Sequence, residues 1–429
     1  MAGPVILSSF AMTAMNVTDI AFLGRVSEVA LGASAIAGIF YFVISIIGIA
    51  IGNGVQILIA RKMGENKFPT VGKIFNQGVY ILLFTAVILF IVMKIFSGIL
   101  FSRFLSSPEL SQACSEYLDY RAWGIIFSNM IVAYRAFYIG TGRTRILGIN
   151  TAVILVINVI LNYGFVFGKM GLPELGIGGS ALASSISEVC AVLFFIIYTQ
   201  IQSANTIYKL YHFHLPELEW IRKIGKISLP LVVQYTVSLG GWLIFFILVE
   251  RLGKHELAIS NVVRGTYMII MTPVWGFATV TNSMISNAIG QKNEKEVMPL
   301  IWKIITLSFL ISLIMIIAGL LLPQIFLGIN SSDQQLVIDS IPSFQVLMLA
   351  TLIFSISSIL LNAITGSGNT KDALYIELIA IAFYLTYIYI SAMEMHLSIE
   401  IIWGSEVMYW ILIGILSWRI LRKRKWVNL

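Results

Sequence analysis

The chain has 429 residues, 58% of them hydrophobic and only 11% charged, against roughly 25% charged in a typical soluble domain. A soluble globule cannot hide that much apolar surface, whereas a bilayer accepts it. The formal charge of +7 would suit nucleic-acid binding in a soluble protein, but its placement along the chain assigns it to a membrane surface instead.

Apolar stretches near the twenty residues needed to cross a bilayer alternate with short polar loops. In chain order they predict twelve spans: 2–22, 32–59, 72–98, 117–140, 147–168, 177–201, 228–250, 257–285, 299–327, 341–364, 372–393 and 397–420. The start is apolar almost from Met1, with no basic leader and no small-residue cleavage site, so it reads as a retained span rather than a signal peptide. The longest polar run, 202–226, reads as an amphipathic cytoplasmic linker between an N-lobe, 1–201, and a C-lobe, 227–429, that ends in a basic tail.

Lys and Arg favour cytoplasmic loops. One alternate set of loops, with the tail, carries nineteen of them, including Arg61, Lys62, Arg143, Arg145, Lys371, Arg422, Arg424 and Lys425. The opposite set carries five: Arg25, Arg103, Lys169, Arg251 and Lys254. This asymmetry predicts both termini in the cytoplasm, in a multi-pass protein of the cell membrane, and it explains the net charge without nucleic acid. Cys114 and Cys190 lie far apart and make no metal or redox spacing. His212 and His214 form the nearest histidine pair, in a polar segment that reads as solvated. No nucleophile–base set, metal-ligand cluster or phosphate loop is present, so neither an enzyme nor a bound cofactor is expected.

Sliding the sequence by 226 residues matches Pro4 to Pro230, Leu31 to Leu257, Ser34 to Ser260 and Gly64 to Gly290. The same shift matches Gly140, Gly142 and Thr144 to Gly366, Gly368 and Thr370. With six spans per half, the second repeat starts on the same side as the first. The fold class predicted is therefore an all-α integral membrane protein of about twelve helices in two parallel-related six-helix lobes, with a cleft between them.

A few polar residues lie deep in these spans. A carboxylate at the bilayer centre costs roughly 2.5–3.5 kcal/mol even on lenient scales, so Asp19 should face a cavity or polar partners. Asn16 shares its helix face. The position matching Asp19 in the second half is Phe245, and an acid kept in only one repeat suggests a task beyond symmetric packing. The alternative places Asp19 near the outer interface, closing the helix before Gly24. Asn158 and Asn162, four apart in the fifth span, project from one face and suit either a carboxylic acid, a cation or an interhelical amide contact. Glu188, mid-way along the sixth span, reads equally as part of a relay or as an ion-pair partner. Arg121 has Asp119 as a near partner or snorkels, Arg264 has none in its neighbourhood, and the faces of Glu377 and Glu406 are open. Pro4 reads as a helix start or as a bend.

The motifs GPVILSSFAMTAMNVTDIAFLG, LGASAIAG, GNGVQILIARKMGENK, GTGRTR, NVILNYGFVFG and GIGGSALASSISE occur in one order inside the twelve-span frame. In this the chain resembles the multidrug and toxic compound extrusion (MATE) family, and Pro4 and Asp19 keep that family's proline-to-aspartate spacing. The resemblance implies a secondary active antiporter that expels small cationic or amphipathic drugs or toxic metabolites in exchange for H⁺ or Na⁺ by alternating access. It places Asn158, Asn162 and the Ser184 hydroxyl beside Asp19 in an N-lobe ion site, with a looser match at Tyr117. Many relatives carry a second acid at the Asn162 position. The seventh-span acid of one subgroup falls at Ser238 here, and that subgroup's tenth-span acid is missing, which favours N-lobe coupling of the DinF-like kind. The partners implied are the small-molecule cargo and membrane lipid, and a monomer is expected. Protonation of Asp19 with bending at Pro4 is the implied switch. A lipid-linked-precursor flippase of the same wider superfamily is the other reading, sustained by Arg121 and Arg264.

Overall fold

The structure, a computed structural model, describes residues 1–105, 107–202, 204–212 and 215–423. His214 and the tail residues Arg424 and Lys425 lie outside the described residues.

The chain runs α1 (Ala2–Leu23), α2 (Glu28–Gly64), α3 (Phe68–Phe104), α4 (Pro108–Gly140), α5 (Arg145–Phe167), α6 (Gly176–Ile201), α7 (Ala204–Tyr208), α8 (Leu218–Glu250), α9 (Lys254–Gly290), α10 (Glu294–Leu321), α11 (Pro323–Gly328), α12 (Gln334–Gly366), α13 (Thr370–Tyr389) and α14 (Ile399–Leu421). Twelve of these are long and apolar enough to cross a membrane, in the order and near the places expected. The helices outrun the apolar stretches because they continue past the hydrocarbon. The 37 residues of α2 reach about 55 Å at ~1.5 Å per residue, against a ~30 Å hydrocarbon core.

Three boundaries differ from expectation. The predicted stretch 299–327 contains a break, since Leu322 leaves helical geometry (φ −129°, ψ 49°) and Pro323 opens the separate turn α11. Proline disfavours a helical residue before it and has no N–H to continue a helix. The linker 202–226 is partly helical: α7 lies inside it, and α8 begins at Leu218, where Trp220 and Ile224 are buried. Pro230 therefore lies inside α8 rather than at its start. The eleventh span ends in a π-helical turn, Ile390–Glu394.

Local chemistry sets several helix starts. Ser27 accepts a hydrogen bond from Ala30 N–H, and Ser107 accepts one from Leu110 N–H with Pro108 following it. Asp333 accepts from the N–H groups of Gln335 and Leu336.

Two compact units emerge, Gly3–Leu229 and Pro230–Leu429. In the first, α4 is central and packs on α2, α3 and α6, with α5 against α6. In the second, α12 is central and packs on α9, α10 and α14. These two central helices are the same element of the 226-residue repeat.

The repeat extends to backbone detail. Asn66 (φ 56°) and Lys292 (φ 58°) turn the chain in the left-handed region after α2 and α9, and Gly142 (φ 78°) and Gly368 (φ 97°) do so after α4 and α12. At the ends of the central helices, bare glycines allow close approach. A Cβ at Gly140 would sit 3.0 Å from the Gln56 carbonyl oxygen, and one at Gly366 would sit 2.6 Å from the Asn282 carbonyl oxygen and 2.8 Å from its Cα. Gln56 and Asn282 are themselves related by the repeat. Backbone cannot yield as a flexible side chain does, so Gly366→Ala is expected to cost about 1–3 kcal/mol of overpacking. That outweighs the helix-propensity gain of at most about 1 kcal/mol. Thermal unfolding in detergent should show a lowered Tm for Gly366→Ala and none for Gly225→Ala, where a Cβ meets nothing within 4 Å.

Candidate functional site

α1 buries only three residues, Val5, Ser8 and Leu23, so apolar packing holds it weakly. Polar bonds fix it at intervals along its length. At its start, Thr144 Oγ1 donates to the Met1 carbonyl at 3.0 Å. Further along, Ser8 Oγ lies 2.6 Å from Thr151 Oγ1 and accepts from Arg135 Nη1 at 3.2 Å. Toward its end, the Asp19 carboxylate meets α5 and α6.

There Asn162 Nδ2 donates to Asp19 Oδ1 at 2.8 Å, and Ser184 Oγ donates to Asp19 Oδ2 at 3.3 Å. Asn158 Nδ2 donates to Ser184 Oγ at 3.1 Å, and Asn162 Nδ2 also reaches the Asn158 carbonyl at 3.0 Å. Four of the residues expected to form a site, Asp19, Asn158, Asn162 and Ser184, thus come together. The alternative placement of Asp19 at a helix end does not occur, since Gly24 closes α1 and Asp19 points at the α5 amides. Asn16 is exposed. The local sequence explains the convergence. The four-residue spacing stacks the two amides on one face of α5. Gly179 lets α6 approach α5 so closely that a Cβ there would lie 2.5 Å from the Phe165 carbonyl oxygen.

Both asparagines are fully buried, and the Oδ1 atoms of Asn158 and Asn162 have no hydrogen-bond donor. With Asp19 ionised, the Asn162 amide must turn its N–H₂ toward the carboxylate, which leaves its oxygen unspent. Buried acceptors without a donor are costly. A positive partner lowers that cost: a proton on Asp19 can satisfy one of these oxygens, and a small cation among them can satisfy both. The set of carboxylate, two amide oxygens and a hydroxyl contains only hard oxygen donors, which suits H⁺ or Na⁺ and not a soft transition metal. Among the described residues no group of three or more His, Cys, Asp or Glu side chains gathers.

Glu188 is an ion-pair partner. Arg121 Nη1 donates to its Oε2 at 2.9 Å and Nη2 to its Oε1 at 2.7 Å, a buried bidentate pair. The guanidinium also lies 3.9 Å from the Tyr41 ring centroid. This corrects the expected Arg121–Asp119 pairing: Asp119 takes Lys94 instead, at 2.5 Å. Gly124 makes room, because a Cβ there would collide with the Arg121 and Glu188 side chains. Tyr117 lies beside Arg121. Pro4 sits in the first turn of α1.

Sequence reasoning missed Arg135, which faces α1 through Ser8 and has no acidic partner among the described residues. Its signal was a guanidinium inside the apolar run IVAYRAFYIG. The second unit also resolves the open faces. Glu377 accepts from the Ser238 hydroxyl, from Tyr409 OH at 2.5 Å and from Gln234 Nε2 at 3.5 Å. Glu406 accepts from Trp242 Nε1 at 2.9 Å, Trp410 Nε1 at 3.2 Å, Tyr384 OH at 3.3 Å and Tyr267 OH at 3.4 Å. Both acids are buried among neutral donors. Arg264 stacks 4.7 Å from the Phe246 ring centroid.

The family profile described as MatE matches residues 4–164 and again 230–390, two stretches that begin at the repeat prolines Pro4 and Pro230. The chain is 24% identical over 375 residues to a probable multidrug resistance protein NorM of Thermotoga maritima, covering 85% of this chain and 78% of that one. It is 24% identical over 384 residues to another from Photorhabdus laumondii, covering 87% and 82%. Among solved structures, a MATE protein in complex with MaL6 superposes with a TM-score of 0.91 at 17% identity, over 99% of this chain and 94% of that one. A MOP superfamily transporter from Pyrococcus furiosus gives 0.88 at 18% identity, over 98% and 94%. At such identities the structural likeness speaks for the fold alone. The family profile covers both halves, and the chain therefore belongs to the MatE family as an all-helical integral membrane transporter, not an enzyme.

Proposed function

We propose that this chain is a secondary active multidrug efflux antiporter of the cell membrane, with both termini cytoplasmic. It exports small cationic or amphipathic compounds by alternating access, in exchange for H⁺ or Na⁺ taken up at Asp19. The observation that carries the reading is the Asp19 carboxylate bonded to Asn162 and Ser184 beside two buried amide oxygens that lack donors. A carboxylate so placed gains most from a positive ion, and its helix is otherwise weakly held. Neutralising Asp19 changes what pins α1 to α5 and α6 and so couples ion occupancy to helix position. The names of the relatives, as multidrug resistance proteins, supply the cargo class.

The flippase reading loses a support. Arg121 is fully engaged by Glu188 and Tyr41, so it is not free to hold a lipid phosphate. The direct test is dye efflux from proteoliposomes, with Na⁺ and pH gradients imposed separately and a panel of cationic and anionic dyes. Efflux indifferent to both gradients would remove the antiport reading.

The amides give a second, graded expectation. In Asn158→Ala, Ser184 loses its neighbour and the ion loses an oxygen, while Asp19 keeps its charge. By analogy with supporting groups around metal sites, the ion concentration for half-maximal efflux should rise about 10–100-fold with the maximal rate largely kept. A titration of efflux against Na⁺ or pH checks this, and an unchanged midpoint counts against the amide's part in ion binding.

A further inference from the structure

We infer that the cavity at the start of α5 binds the phosphate headgroup of an anionic membrane lipid. The cavity has a volume of about 620 Å³ and lies among the ends of α1, α4, α5 and α6, lined by Arg143, Arg145, Tyr138, Tyr198, Met1 and Pro4. That volume is within the range of small-molecule sites.

Three features define the ligand. First, no acidic side chain lines the cavity, and the exposed Arg143 and Arg145 form no salt bridge among the described residues. Two guanidinium groups two residues apart, that of Arg143 also lying 5.5 Å from the Tyr208 ring centroid, suit the oxygens of one phosphate, with fork geometry that lysine lacks. Second, Thr144 stands at the N-terminus of α5 with no side-chain capping bond, and its hydroxyl donates to the Met1 carbonyl. The first turn of α5, without a side-chain cap, adds positive potential at this end of the helix. Third, Pro4, Ile146 and two tyrosine rings give the cavity an apolar wall, and it sits where membrane-crossing helices end on the side of the basic loops. Basic pockets between helices at that level hold phosphoryl headgroups, with the acyl chains remaining in the bilayer. A soluble anion would gain nothing from the apolar wall.

The position has a consequence for α1. Met1 and Pro4 form one wall, and Thr144 tethers Met1, so a bound headgroup sits against the start of the helix that carries Asp19. Occupancy steadies that end of α1.

The test uses the full chain in nanodiscs of phosphatidylcholine with or without phosphatidylglycerol. The readout is the shift in Tm on adding phosphatidylglycerol, so a variant of lower basal stability still reports. In the wild type the shift is expected to be upward by several degrees, and in Arg143→Ala/Arg145→Ala to fall to less than half. Lys295→Ala/Lys303→Ala removes the same charge from exposed positions in the other unit and should keep the full shift. An equal loss in both double variants would reduce the effect to general surface charge and overturn the site. So would a wild type indifferent to phosphatidylglycerol. Inorganic phosphate that reproduces the arginine-dependent shift in phosphatidylcholine discs would overturn the lipid assignment in favour of free phosphate.

Discussion

Asp19→Asn is expected to abolish ion-driven efflux while leaving the fold intact. Asparagine has nearly the volume of aspartate; its oxygen can still accept from Asn162 at the 2.8 Å contact, while its N–H₂ stands at the other position and can donate to the Ser184 hydroxyl. What is lost is the charge, and with it the ability to take up and give up a positive ion. Transport against a gradient should fall at least about tenfold, to the passive leak, which corresponds to about 1.4 kcal/mol or more of lost coupling. Initial rates of dye efflux from proteoliposomes measure this, with melting of the purified variant as the check on folding. A folded Asp19→Asn protein that pumps at the wild-type rate would move the coupling site elsewhere, and Glu377 and Glu406 in the second unit would be the next groups to test.

The energetics also separate cargo classes. One ion entering in exchange for a neutral molecule moves one charge, worth about 2.3 kcal/mol per 100 mV of membrane potential. One ion entering for one monovalent cation leaving moves no net charge. Only the ion's own gradient then drives export, at about 1.4 kcal/mol per tenfold difference. A valinomycin-clamped potential should therefore accelerate efflux of neutral dyes and leave monovalent cationic dyes unaffected.

The largest stability effect is expected at Arg121. Arg121→Ala leaves the Glu188 carboxylate buried without its two hydrogen bonds, and breaking a buried pair from one side costs about 3–5 kcal/mol. Replacing both partners, as in Arg121→Met/Glu188→Leu, removes the uncompensated charge and should recover most of that loss. Tryptophan-fluorescence melts of the single and double variants give the comparison. The double variant also tests function. Glu188 is occupied by Arg121 and does not touch Asp19, so the double variant should retain Asp19-dependent efflux. A stable double variant without transport would show that the ion pair belongs to the coupling machinery.

Much of the architecture was legible because membrane crossing imposes a length and an apolar composition that few other folds share. The twelve spans, the polar breaks between them and the 226-residue repeat followed from that constraint, down to Gly142 and Gly368 in matching left-handed turns. The Asp19 site was legible for a related reason. Acids and amides are so costly in these spans that Asp19, Asn158 and Asn162 stand out, and a four-residue spacing gives the two asparagines a common face; that they and Ser184 meet Asp19 was implied by the family resemblance. Beyond that site, partners across helices were not legible. A span that is apolar all round carries no periodic signal for its rotation about its axis. Asp119, two residues from Arg121, therefore looked like its partner, while Glu188, 67 residues away, is the real one. The same gap hid the aromatic and hydroxyl donors that gather around Glu377 and Glu406. The break at Pro323 was missed because hydropathy does not register a lost N–H.

The most direct measurement is the movement of the ion itself. Proteoliposomes loaded with a transported dye and holding no ion gradient should, as dye leaves, take up H⁺ or Na⁺ in fixed proportion, read with a lumenal pH probe or radioactive sodium. The counter-flow is expected to disappear in Asp19→Asn together with efflux. Dye leaving through the wild-type protein with no inward movement of either ion would contradict it.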